Sequence, residues 1–274
     1  IYIINRDDWS AGEIISYIRR LAQSHASMHA MKRAAAIPSF RPLYEQIKML
    51  LTQSLAGGEW KPGEAIPSEV ELAARFGVSQ GTVRKAIDEL AADNILLRRQ
   101  GKGTFVSSHS EPDYQYRFLR VNPDRGVRPH PKNFFFGLER GKAAGEVAQA
   151  LRLEPGTATL GFKRVMSFGG RAVVFDEIVF AASQFPGLTL SELEDFSGSV
   201  YSFYEKVFGV RMIRAEERLR AIAADSVAAA HLKVAPGAPL LCVDRTAYTY
   251  DDQPVEWRRG LCVTEGFSYF NDLV

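Results

Sequence analysis

A chain of 274 residues that is 46% hydrophobic, 24% charged and 11% aromatic has the composition of a folded protein of about two domains, which excludes collagen, coiled coil and disorder throughout. Its 34 Lys and Arg stand against 32 Asp and Glu, so the net charge of +2 makes no chain-wide field for a polyanion, and any nucleic-acid contact must be local. Residues 1–37 read as an N-terminal extension with one helix, Ala11 to Ser24, carried by Ile14, Ile15, Ile18 and Leu21. A second helix starts after Pro42, with Leu43, Ile47, Leu50, Leu51 and Leu55 in register until Gly57-Gly58. Ser68 then caps a helix from Glu69 to Phe76, with Glu71 as its capping-box partner, and Gly77 ends it. Ser79 caps the next, Gln80 to Ala92, whose inner face is Val83, Ile87, Leu90 and Ala91. Two short strands, Ile95 to Gln100 and Gly103 to Val106, form a hairpin around Gly101-Lys102.

Residues 108–133 are polar, broken by Pro112, Pro123, Pro129 and Pro131, and are expected to be a linker and hinge. Beyond them the spacing predicts a helix at Ala143 to Leu151, a hairpin of Thr157 to Phe168 with Ala172 to Phe180, and a helix at Ser199 to Phe208. A strand at Val210 to Ile222, a helix at Asp225 to Leu232 and strands at Leu240 to Tyr250 and Val255 to Val263 follow. Hairpin-linked strands with interspersed helices predict an α+β domain, an antiparallel sheet with helices on one face.

Two helices joined by a tight turn and followed by a hairpin form the pattern of a winged helix-turn-helix. A major groove roughly 12 Å wide admits one helix, read from its N-terminal side chains. Ser79, Gln80, Thr82, Arg84 and Lys85 lie off the apolar face of the 80–92 helix, so they point outward; Gln80 suits adenine, and Arg84 a guanine or a phosphate. At the hairpin tip, Gly101 and Gly103 leave room for close approach to a backbone, and Lys102 reaches a phosphate or the minor groove. Lys and Arg exceed Asp and Glu by one over residues 38–107, but Arg98, Arg99 and Lys102 run without an intervening acid.

The runs Pro42-Leu43-Tyr44-Glu45-Gln46-Ile47, Pro67-Ser68-Glu69-Val70-Glu71-Leu72-Ala73, Phe76-Gly77-Val78-Ser79-Gln80-Gly81-Thr82-Val83-Arg84 and Gly101-Lys102-Gly103-Thr104-Phe105-Val106 resemble the DNA-binding domain of the GntR family of bacterial transcriptional regulators. The resemblance covers nearly all of 38–107 and implies double-stranded operator DNA as partner. It places DNA contacts on Ser68, Glu69, Arg75, Ser79, Gln80, Thr82, Arg84, Lys102 and Gly103, to which the outward face of the helix adds Lys85. Where the family commonly has Arg after the Ser of the turn this chain has Gln80, which implies an altered operator preference.

Residues 134–274 resemble the UTRA effector-binding domain of the HutC-type subfamily, a fold similar to chorismate lyase. The resemblance rests on Leu151-Arg152-Leu153-Glu154-Pro155-Gly156, Lys163-Arg164-Val165, Ser199-Val200-Tyr201 and Gln253-Pro254-Val255-Glu256. The residues point to a site in the same place. Leu160, Phe162, Arg164, Met166 and Phe168 share a face by period two, which sets Arg164 in an apolar row, and Asp176 falls among Val174, Ile178 and Phe180. Buried charges need partners: Arg164 and Asp176, with Glu256 on the last strand, either pair with one another or surround a polar ligand. The resemblance adds Ser199 and Tyr201 at a helix start, suited to an anionic group. Sugar-phosphate binders of the subfamily tend to carry a second Arg two residues after the first; here Met166 stands there, which weakens the sugar-phosphate expectation and sets a carboxylate, amino-acid-like or unphosphorylated metabolite at least level with it.

No G-x-S-x-G, no H-E-x-x-H and no Cys/His pairing is present, so no enzyme, cofactor or metal site is expected. Cys242 and Cys262 lie apart and read as core residues in a reducing compartment, the cytoplasm. His231 reads as a helix-end residue, and no apolar run reaches the roughly 18 residues of a membrane span. The resemblance implies a homodimeric, metabolite-responsive regulator, most often a repressor released from a palindromic operator. The alternative is a DNA-binding protein whose C-terminal domain serves only dimerisation.

Overall fold

Apolar residues at helical spacing open the fold seen in the computed structural model, which describes residues 41–111, 115–127 and 129–271. The extension at 1–37 and its expected helix lie outside the described residues. Residues 43–274 form one compact unit. Its first helix, α1 (Leu43–Ala56), buries Ile47, Leu51 and Leu55. Helix α2 (Glu69–Phe76) is opened by the Ser68/Glu71 capping box and closed by Gly77 in the left-handed conformation; α3 (Gln80–Ala92) starts from Ser79, whose hydroxyl accepts from the Thr82 N–H. Each such cap contributes about 1 kcal/mol. Val83, Ala86, Ile87 and Leu90 pack with Leu72 and the α1 leucines, and strands β1 (Leu96–Arg99) and β2 (Gly103–Val106) form the wing.

Strand β3 (Val121–Pro123) comes next, then β4 (Lys132–Lys142), α4 (Gly145–Ala150), β5 (Ala158–Phe168) and β6 (Arg171–Ala181). The chain continues through α5 (Leu190–Asp195), α6 (Val200–Phe208), β7 (Arg214–Ala223), α7 (Ser226–Leu232), β8 (Pro239–Tyr248), β9 (Pro254–Val263) and β10 (Phe267–Tyr269). Six strands make an antiparallel sheet in the order β4-β5-β6-β9-β8-β7, and β10 pairs with β3 apart from it.

Three expectations need correction. Helices cover both faces of the sheet: α6 packs over Phe162, Ile178 and Phe180, whereas α7 packs through Ala228, Ala229 and Leu232 on Val165 and Phe175. Strands β5 and β6 are apolar on both sides, and each side needs a cover. Residues 108–133 are not a bare spacer, since Ser108 and His109 are buried, Phe118 packs on the α6 core, Val121 is buried in β3, and β4 begins at Lys132. Finally, residues 210–213 are not strand; Arg211 and Ile213 turn toward the winged domain, and Ile213 enters its core.

Candidate functional site

Helix α2 meets α3 at Glu69. Its carboxylate, on the residue directly after the Ser68 cap, accepts hydrogen bonds from Gln80 Nε2 (3.2 Å), Arg84 Nε (3.0 Å) and Arg98 (3.0 Å). The Arg84 hydrogen bond, then that from Arg98, holds this carboxyl below the usual carboxylate range against the effect of burial. Glu69, Gln80 and Arg84 thus stand together at the outward start of α3, with Ser79 and Thr82 sharing a 2.9 Å hydroxyl contact beside them. Ser68 is engaged by Glu71. Two residues of the expected set are turned to other partners: Arg75 makes a two-pronged pair with Glu59 beside Trp60 and Phe76, and the Lys85 ammonium sits 3.8 Å from the Tyr44 ring centre. Gly101 and Gly103 both have positive φ at the exposed wing tip that carries Lys102.

The second site lies on the α6 face of the sheet. Register sets Arg164 opposite Asp176 and Asp176 opposite Gly260; one rung along, Arg258 is opposite Arg245 and Arg245 opposite Glu217. Arg164 donates to Asp176 through Nε at 2.9 Å, and Arg258 lies 3.7 Å from the same carboxylate. Burial pushes the Asp176 carboxyl up, but Arg164 and Arg258 outweigh it and hold it low. Gly260 permits this approach: a Cβ there would stand 2.8 Å from Asp176 Oδ1. Fully buried Glu256 accepts from Tyr201 (2.9 Å), Tyr204 (3.1 Å) and both arms of Arg258. Glu217 accepts from Arg245 and Tyr269.

Two small adjoining cavities, of about 40 and 50 Å³, meet at Arg164, Met166, Arg245 and Arg258, roofed by Leu119. One extends to Arg120, Cys262 and Tyr269; the other reaches Asn133, Ser199 and Tyr201. The structure therefore brings together Arg164, Asp176, Tyr201 and Glu256, while the Ser199 hydroxyl is engaged with Ser202 in capping α6. Arg164 and Asp176 pair with one another, and both also line the cavity. Arg245 and Arg258 were not among the expected residues, although period two from Glu256 reaches Arg258. Cys242 and Cys262 are buried on opposite faces of the sheet, and His231 stacks on Phe175 at 4.7 Å.

Helix α6 runs from this cavity to the winged domain. Its Glu205 accepts from the Ser108 hydroxyl and the His109 N–H, and just beyond the helix Arg211 donates to the carbonyls of Asn94 (3.3 Å) and Ile95 (3.3 Å). Arg211 also reaches Ser107 and the Tyr250 hydroxyl. Among the described residues there is no helix long and apolar enough to cross a membrane, and no cluster of three or more His, Cys, Asp or Glu placed for a metal.

Comparison with known proteins adds an independent line. Residues 43–106 match the family described as bacterial regulatory proteins, gntR family, and residues 129–268 match the UTRA domain. A probable transcriptional regulator of Escherichia coli, PhnF, is 32% identical over 75% of this chain and 84% of its own. The transcriptional repressor NagR of Bacillus subtilis is 29% identical over 76% of this chain and 84% of its own. Among solved structures, the ligand-binding domain of a GntR-family regulator from Bordetella bronchiseptica is 40% identical, with a TM-score of 0.57 over 58% of this chain and 99% of that one.

Proposed function

Since the chain belongs to the GntR family of bacterial transcriptional regulators and carries a UTRA domain, we propose that it is a homodimeric repressor released from a palindromic operator by a small polar metabolite. Residues 38–107 serve as the DNA-binding part and residues 134–274 as the sensing and dimerising part, acting in the cytoplasm where the operator is. The two-fold symmetry of a dimer is what a palindrome mirrors. No catalytic group is involved.

One observation carries the reading: α6 touches both sites. Tyr201 in its first turn lines the cavity and is hydrogen-bonded to fully buried Glu256, and Glu205 in its last turn holds Ser108 and His109 at the foot of the wing. A ligand that competes for Glu256 or Arg258 shifts α6, and with it the ties to Asn94 and Ile95, provided it binds the two arrangements with different affinity. The wall chemistry supports a class of effector. Arg164, Arg245 and Arg258 are matched by Asp176, Glu217 and Glu256, so the buried charge is balanced. A zwitterion such as an amino acid can exchange with such pairs without leaving a surplus, whereas a simple carboxylate brings one uncompensated charge and a phosphate dianion two.

A C-terminal domain that only dimerises is favoured by the same pairing, because the charges are already satisfied. Against it stands Asn133 Oδ1, buried beside the cavity without a hydrogen-bond partner. A thermal-shift screen of the full chain against sugars, sugar phosphates, amino acids and carboxylates, repeated with Arg258→Met, decides between them. A carboxylate or amino-acid hit that is lost in the variant and weakens operator binding of the parent chain supports the sensor. A panel without a hit, together with DNA binding indifferent to every compound, returns the dimerisation reading.

A further inference from the structure

All four arginines between residues 43 and 107 are paired with acids. Arg75 is held by Glu59, Arg84 by Glu69, Arg98 by Glu69 and Asp88, and Arg99 by Glu111. A domain that meets a polyanion has thus cancelled its own guanidinium charge, and among the described residues of the wing tip Lys102 alone lies outside any ion pair. Glu69 is the centre of this arrangement, since it collects two arginines and Gln80 on one carboxylate that is itself only 14% exposed. Arg84 and Arg98 come from different elements, α3 and β1, and Glu69 is the carboxylate that hydrogen-bonds to both, with Asp88 beside them paired to Arg98.

Phosphate contacts carry affinity without sequence information, and each arginine free to neutralise a phosphate adds to the salt-dependent attraction for any duplex. An arginine tied to a carboxylate adds little of this. It is released only where a base edge or phosphate offers a better partner in the right place, which penalises wrong sequences more than right ones. We propose that Glu69 is a specificity-determining residue that suppresses sequence-independent DNA binding by holding Arg84, Arg98 and Gln80 until a cognate site replaces it. Gln80, with no charge of its own, leaves Arg84 as the cation at the start of α3, so restraint of that one residue has a large effect on the reading head.

The proposal rests on the DNA-binding reading, and its test keeps the two apart. The full chain first selects duplexes from a randomised pool; failure to enrich any sequence would remove the DNA-binding reading itself. With the enriched duplex and an unrelated random duplex as probes, binding by fluorescence anisotropy is followed from about 50 to 200 mM salt for the parent and Glu69→Gln. The variant is expected to bind the random duplex about tenfold more tightly at the lowest salt, with a log–log salt slope steeper by about one to two, one for each arginine released. The ratio of enriched to random affinity falls by about the same factor. Adding Arg84→Gln and Arg98→Gln to Glu69→Gln returns the slope to the parent value. An unchanged or weaker random-duplex affinity in a folded Glu69→Gln chain overturns the proposal. Should that chain not fold, Asp88→Asn, which loosens Arg98 from its other acid, is expected to steepen the slope by less than one, and an unchanged slope overturns the proposal equally.

Discussion

Arg164 shows what a buried charge costs when its partner goes. It and Asp176 are both almost wholly buried, and among the described residues Arg258 is the only other guanidinium within 4 Å of that carboxylate. Arg164→Ala is therefore expected to destabilise the chain by about 3 kcal/mol, toward the low end for a broken buried pair because Arg258 remains. Replacing both partners, as Arg164→Met with Asp176→Leu, should cost less than the single change, which urea unfolding of the two variants checks. Glu205 makes a different prediction. Burial raises its carboxyl, with Ser108, His109 and Arg211 opposing, so the folded chain holds this proton more tightly than the unfolded chain. Stability from this group is present in acid and is lost as pH rises from about 4.3, the unfolded value, through the raised folded value. Glutamine carries no such charge, so the melting temperature of Glu205→Gln relative to the parent should increase between about pH 4 and pH 7.

At the scale of elements, α2 and α3 were legible to the residue because Ser68, Glu71, Gly77 and Ser79 are local instructions, each satisfied within a turn. The sheet strands from β5 to β9 were legible within a few residues for the same reason, since alternation and Gly-rich turns are short-range. What failed was long-range. Strand β4 follows Pro129 and Pro131, is mostly exposed and carries a register shift between Phe136 and Glu139, so neither its period nor its burial stands out. Segment 115–123 shows no clear period, and contacts distant in sequence, with α6, β5, β8 and β10, give it a structure. The candidate site divides the same way: Arg164, Asp176 and Glu256 were found by strand period, whereas Arg245 owes its place to a cross-strand register that one strand cannot reveal. Helix α6 offers an element-level test. Gly198, before its cap, has φ +154°, and a Cβ there would stand 2.7 Å from Ser202 Oγ and 2.8 Å from Phe196. Gly198→Ala should cost about 1–3 kcal/mol and displace the first turn. A melting temperature equal to the parent's would show that the cap tolerates the methyl.

Across the whole molecule, the winged domain and the sheet domain are joined by more than a chain segment. Arg211 bonds to the carbonyls of Asn94 and Ile95, and Ile213 is buried within the winged domain's own core. Residues 43–274 should accordingly melt in one calorimetric transition, and Arg211→Met with Glu205→Gln, which removes the buried charges together, should separate it into two. A single transition in that variant would mean that Ile213 and Tyr250 suffice to couple the domains.

The strand pair β3–β10 bears on how the protein comes into being. The roof at Leu119 is pinned by residues 267–269, and Arg245, Glu256, Arg258 and Tyr269 are all synthesised more than 130 residues after the wing. On the ribosome the winged domain is finished well before the strands that complete the cavity. A stop codon after residue 264 thus removes β10 while sparing the wing, and under the proposed function the truncated chain is expected to keep operator binding and lose its response to the effector, which binding assays with and without effector check.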